Sequence, residues 1–219
     1  LKQGYQVGYT NNVQQGMSGG PILNEAGEVV GFNGHQKNPT FGNPFVFING
    51  GQPSERERQA MMALSWGVPV AVLAEKAPDL LKPALPLVAS IKGIPQAVYQ
   101  KATGFTVRVE GEKPDLAPEQ GSGVIVAKRP GQWGTDYFVL TAAHVLHDTN
   151  RRYSVVTGDG ERYEVDRNQF AVPPAYDVAL VSFRSRKDYT PVTLATYALT
   201  PGDFSSTVWA FVAGWPADA

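Results

Sequence analysis

The chain has 219 residues, 42% of them hydrophobic, enough to bury a sizeable core in one large all-β domain or two smaller ones. Twenty acidic side chains against nineteen basic ones leave a net charge of -1, which argues against a phosphate-neutralising surface and so against nucleic acid as a partner. The absence of cysteine excludes a disulfide framework, a thiol nucleophile and a thiolate metal site, and His35, His144 and His147 do not fall at a metal-ligand spacing, so no metal or organic cofactor is implied.

Short runs rich in Val, Ile, Phe, Tyr and Thr recur between Gly, Pro, Asn and Asp, the punctuation of an antiparallel all-β protein. In chain order, a strand is predicted over 5–9, and a hairpin joins 21–23 to 29–32 through the turn 24–28. Ser54 with Glu57 three places on has the form of a capping box, which predicts a helix over 54–64. A strand over 65–70 leads to a second predicted helix over 72–81. Residues 82–103 are rich in Pro, Ala and Lys and lack a sustained alternation, so they read as a linker with some local helix. Strands follow over 105–109 and 120–126, then a hairpin of 153–156 with 162–165, a strand over 178–183 and a last one over 208–216. No apolar stretch approaches the length that crosses a bilayer, and residues 1–4 do not show the charged-then-apolar start of a secretory leader.

Two segments carry chemistry. Gly16-Met17-Ser18-Gly19-Gly20-Pro21 sets a serine in a glycine-rich turn before an apolar strand, and Thr141-Ala142-Ala143-His144 sets a histidine at the end of another. A serine hydroxyl is a weak nucleophile at neutral pH unless an imidazole takes its proton, and an imidazole in that role needs a carboxylate to fix its tautomer. Asp177, at the mouth of Val178-Ala179-Leu180-Val181, is the best candidate for that acid. Each has a plainer reading: a glycine-rich turn, a strand-end histidine, a strand-capping acid. Asp159, Asp166 and Asp188 stand in turn-like or charged contexts, and His147 reads as a loop residue facing solvent.

Together these segments resemble the nucleophile loop, the base segment and the Asp-(Val/Ile)-Ala-Leu strand of trypsin-like, chymotrypsin-fold serine peptidases. The run Tyr9 to Pro21 is similar to a Cys-free, cyanobacterial type. The resemblance implies two antiparallel six-stranded-type β-barrels with a short closing helix. It implies Ser18 as nucleophile, His144 as general base, Asp177 as its orienting acid and the N–H groups of Gly16 and Ser18 as an oxyanion hole. The activity implied is hydrolysis of peptide bonds in a peptide or protein substrate through an acyl-enzyme. By family alignment the substrate pocket has Asn12 and Val13 at its base, Gln15 at its rim and Asn33, Gly34 and His35 along one wall. The base carries no acid, which disfavours Lys or Arg at the cleaved position. His35 could act like the pocket histidine of glutamate-specific relatives, although a loop histidine is the simpler account.

In that family the histidine precedes the serine; here Ser18 comes first. Residues 1–81 therefore look like the C-terminal barrel portion of one peptidase unit, 82–103 like a linker, and 104–219 like an N-terminal barrel plus the first strand of a second barrel. A piece of a tandem array is expected ahead of a finished circular permutant, with further peptidase repeats of a parent chain as neighbours. Bacterial relatives suggest an extracytoplasmic site. Two rivals stand beside the peptidase reading: a catalytically silent binding or scaffold module, and a fragment whose two halves sit apart and serve different sites.

Overall fold

The computed structural model describes residues 1–37, 45–72, 94–165, 171, 175–195 and 210–217. Two curled antiparallel sheets carry most of the described core, and many of their strands are buried along much of their length.

The larger sheet is built from β5 (Thr106–Glu112), β6 (Glu119–Gly131), β7 (Gly134–Thr141), β8 (Arg152–Val156), β9 (Arg162–Glu164) and β10 (Ala179–Ser185), in the order β10-β7-β6-β5-β8-β9. In β10, Ala179, Val181, Phe183 and Ser185 are buried, and Arg184 between the last two is exposed. The register of β6 on β7 shifts between Ile125 and Ala127, and such a bulge bends a long strand. The outer strands then meet: the Tyr163 ring stacks on Phe183 with centroids 4.6 Å apart, and the Tyr163 and Ser185 hydroxyls lie 2.9 Å from each other. Val107, Val109, Val124, Ile125, Val139, Val155 and Val181 fill the interior at 1% exposure or less.

The smaller sheet comprises β1 (Val7–Tyr9), β2 (Pro21–Leu23), β3 (Val29–His35), β4 (Ser65–Pro69) and β11 (Phe211–Val212), in the order β1-β4-β3-β2-β11. Among the described residues it has five strands where the family resemblance implied six. β11, which follows all the strands of the larger sheet in the chain, joins the smaller one by pairing Phe211 with Leu23 and Val212 with Ile22. The turn between β2 and β3 falls where the sequence places it, with Asn24 Oδ1 accepting from the amides of Ala26 and Glu28.

Two α-helices are described in full, and residues 71–72 are helical as well. The first, α1 (Glu55–Met62), starts at a complete capping box between Ser54 and Glu57, as its sequence predicts. The second, α2 (Ile94–Phe105), occupies ground that composition marks as linker. Val98, Ala102 and Phe105 recur at helical spacing and are buried, while proline one residue into a helix is compatible with its first turn. The helix predicted over 72–81 lies outside the described residues beyond Val72, as do residues 82–93 of the linker and 208–209 of the last strand. No helix among the described residues is long and apolar enough to cross a membrane.

Candidate active site

Strand β7 ends at Thr141, and a 3-10 turn, Ala143–Leu146, follows at once. Small Ala142 and Ala143 let the chain double back there, which leaves the His144 side chain 45% exposed at the sheet margin. Asp177 stands just before β10, the strand paired with β7, so strand pairing alone brings the two residues to one end of the sheet. Asp177 Oδ1 accepts the His144 backbone amide at 2.9 Å, and Oδ2 lies 2.7 Å from His144 Nδ1.

Burial by itself would raise the Asp177 pKa. The hydrogen bond and the positive charge of His144, with a further hydrogen bond from Tyr5, outweigh it and hold the carboxyl below its usual range. An ionised carboxylate can only accept, so in a neutral imidazole the proton of this contact sits on Nδ1 and Nε2 is left with its lone pair.

Ser18 lies in the loop between β1 and β2, half-buried. The loop is clamped against β6 of the other sheet. Ser122 donates its amide to Ser18 O at 2.7 Å and its hydroxyl to Gly16 O at 2.8 Å, while the hydroxyl oxygen accepts the Trp215 amide at 2.8 Å. Gly19, at φ 84°, approaches so closely that a Cβ there would fall 2.6 Å from both Ala142 N and Thr141 Oγ1. The nucleophile candidate is thereby fixed beside the turn that carries His144.

Both side chains converge on the end of β3. Ser18 Oγ is 3.5 Å from Gly34 O, and the His144 ring lies parallel to that of His35, centroids 6.4 Å apart. The expectation of a loop histidine at 35 is not met: His35 is the last residue of β3 and half-buried, and burial with the neighbouring His144 pushes its pKa down despite the nearby Asp177 charge.

The amides around Ser18 divide into two sets. Those of Met17, Gly19 and Gly20 donate to the carbonyls of Gln14, Asn33 and Met17. Those of Gly16 and Ser18 make no hydrogen bond among the described residues. Their peptide groups are nonetheless held from behind, since a trans peptide points N–H opposite to C=O. Gln15 O accepts the Ala217 amide at 2.9 Å, and Met17 O accepts from Gly20 N at 3.0 Å and Asn33 Nδ2 at 3.3 Å. Two fixed, unengaged donors are what an oxyanion requires, each worth about 2.7–4 kcal/mol in a transition state.

Of the residues aligned with the pocket, Asn12 and Gln15 are exposed, whereas Val13 is buried with Tyr9, Met17 and Ile22. Asn33 is 1% exposed, and its side chain is occupied: Oδ1 accepts from Tyr9, and Nδ2 donates to Met17 O and Ala213 O. Its main chain bonds Gly19 and Gly20, so Asn33 acts as a brace for the Ser18 loop.

Sequence reasoning missed Tyr5 and Ser122. Tyr5 is 2% exposed and donates its hydroxyl to Asp177 Oδ2 from 172 positions away, and Ser122 is fully buried. A Gly-Ser-Gly entry to a strand marks Ser122 only as a place where backbones approach closely; nothing local marks Tyr5.

Residues 121–218 match the family model described as the trypsin-like peptidase domain, and the two curled antiparallel sheets fit the chymotrypsin-like fold that the match implies. The matched stretch contains His144 and Asp177, and Ser18 lies upstream of it. No curated protein matches the chain.

Proposed function

We propose that this chain is a serine endopeptidase acting through a triad of Ser18, His144 and Asp177. The observation that carries the reading is the convergence of Ser18 Oγ and the His144 ring on consecutive residues of β3, with the Nδ1 side of that ring already engaged by a buried carboxylate. The match to a peptidase family supports protein or peptide substrates.

In the proposed reaction Ser18 Oγ attacks the scissile carbonyl carbon as its proton passes to His144 Nε2. The carbonyl oxygen becomes an oxyanion facing the N–H groups of Gly16 and Ser18. Collapse breaks the C–N bond, His144 returns the proton to the leaving amine, and Ser18 is left acylated. Water attacks the ester by the same route, regenerating the hydroxyl. Asp177 keeps the imidazole in one tautomer and stabilises the imidazolium in both halves of the cycle.

The swapped order of the motifs is accommodated if residues 1–81, with the Ser18 loop, and residues 104–219, with His144 and Asp177, act as two parts of one peptidase unit. Asn12, Gln15, Gly34 and His35 are proposed to face the substrate, with Val13 and Asn33 shaping the pocket from behind. With no acid at the pocket base, Lys and Arg are disfavoured at the cleaved position.

A fluorophosphonate probe tests the reading directly, because it reacts with an activated serine whatever peptide the enzyme cleaves. Folded protein at neutral pH should take up one probe at Ser18, located by peptide mass mapping, and both Ser18→Ala and His144→Ala should abolish uptake. Well-folded protein that stays unlabelled would overturn the proposal.

A further inference from the structure

Asp177 has one contact that the triad alone does not call for. The Tyr5 hydroxyl donates to Oδ2, the same oxygen that faces His144 Nδ1, so two donors share one carboxylate oxygen. The Tyr5 ring also packs against the His35 ring, centroids 4.6 Å apart and tilted by 48°. Gly34 is pressed onto that ring: a Cβ at position 34 would overlap it, with the Tyr5 hydroxyl 3.0 Å away. One side chain thus touches the acid, the strand end on which Ser18 Oγ rests, and the histidine stacked beside His144.

We propose that Tyr5 is a positioning residue for the hydrolysis, fixing Asp177 and, through the end of β3, the mutual placement of Ser18 and His144. The proposal rests on the triad reading given above and deepens it. A buried phenol must find an acceptor, and this one has taken the most consequential acceptor in the site. With the hydroxyl in place, Asp177 Oδ2 divides its charge between two donors and cannot swing away from Nδ1. Without it, the carboxylate gains rotational freedom, and the charge on Oδ2 falls wholly on the imidazole. The titratable groups facing this carboxylate come from three elements: Tyr5 from the segment before β1, His35 from β3 and His144 from the turn after β7.

The test is the rate of fluorophosphonate labelling of Ser18 as a function of pH in wild type and in Tyr5→Phe, which removes one oxygen and keeps the ring. A hydrogen bond to a charged group sets the scale: labelling should slow by about tenfold or more at its plateau. The acid limb should also move to higher pH, because Asp177 loses one of the hydrogen bonds that hold its carboxyl below the usual range. A packing role alone would leave that limb where it is. Tyr5→4-aminophenylalanine, which restores an N–H donor on the same ring, should recover rate and limb together; it reads the proposal independently should Tyr5→Phe not fold by circular dichroism. If wild type is labelled and Tyr5→Phe matches it in rate and midpoint, the inference is overturned while the triad stands. If wild type is not labelled at all, the triad reading fails and this inference with it.

Discussion

The two sheets differ in how they reach order. The larger one pairs β5 with β6, β6 with β7 and β8 with β9, each close to its partner in sequence, over a continuous interior of valine and isoleucine. The smaller one has short strands, takes β11 from a distant part of the chain, and carries a glycine-rich loop whose shape depends on Ser122 and on residues 213–217. The pairing of one sheet brings His144 and Asp177 together, with Tyr5 from the segment before β1 holding the acid, whereas the Ser18 loop takes its shape from contact between sheets. A site divided in this way is most fragile on the serine side.

Substitutions probe that asymmetry. The largest effect is expected for Gly19→Ala. A non-glycine residue at this φ costs about 1–3 kcal/mol before any clash is counted, and the new methyl would also meet Ala142 N and Thr141 Oγ1. Urea denaturation should show a loss at or above the top of that range, and probe labelling should vanish even where the protein remains folded.

Acid should act on both sides of the division. The Asp177 pKa is depressed in the fold, so its contribution is present above its ordinary value of 3.8 and disappears as pH falls through the lowered folded value. His35 is also lowered, from 6.5, so stability begins to fall below that ordinary value as the unfolded state takes up the proton first. The denaturation midpoint should therefore decline in two stages, the later one weakened in Asp177→Asn and the earlier one in His35→Gln. A midpoint flat from pH 7 to 3 would contradict both.

Ser122→Ala removes the hydroxyl that joins Gly16 O to the Trp215 amide and should cost about 1–3 kcal/mol by thermal unfolding. Labelling should slow as well, because the Gly16 peptide is freed. Tyr137→Phe is the counterpart within the larger sheet. It loses bonds to Lys187 O and the Tyr189 amide and should cost about 1 kcal/mol, with labelling untouched. If Tyr137→Phe impairs labelling as much as Ser122→Ala, the contrast drawn between the two sheets is wrong.

What could be read from the sequence follows the same division. Hairpins announce themselves locally: Asn24 bonds its own turn, and residues 157–160 bring β8 back as β9, as composition predicts. Ser54 and Glu57 announce a helix start for the same reason. Ser18, His144 and Asp177 were candidates because the short segments around them resemble family motifs, with glycine where the chain turns tightly and alanine before the 3-10 turn. Tyr5 and Ser122 were not, since each is held by a partner more than 100 positions away and leaves no trace in its neighbours. The helix Ile94–Phe105 lay between these cases: its apolar spacing was present, but proline and lysine around it dominated the composition.

The pairing of β11 with β2 also dictates when the serine loop can take shape. Asn33 reaches Ala213 across 180 positions, and closing so long a span is an entropically slow event that nearby hairpins do not face. During synthesis the larger sheet can form as soon as its hairpins emerge, while Ser18, made far earlier, waits for a strand still inside the ribosome. Until β11 emerges, the Ser18 loop lacks the backbone partners that shape it.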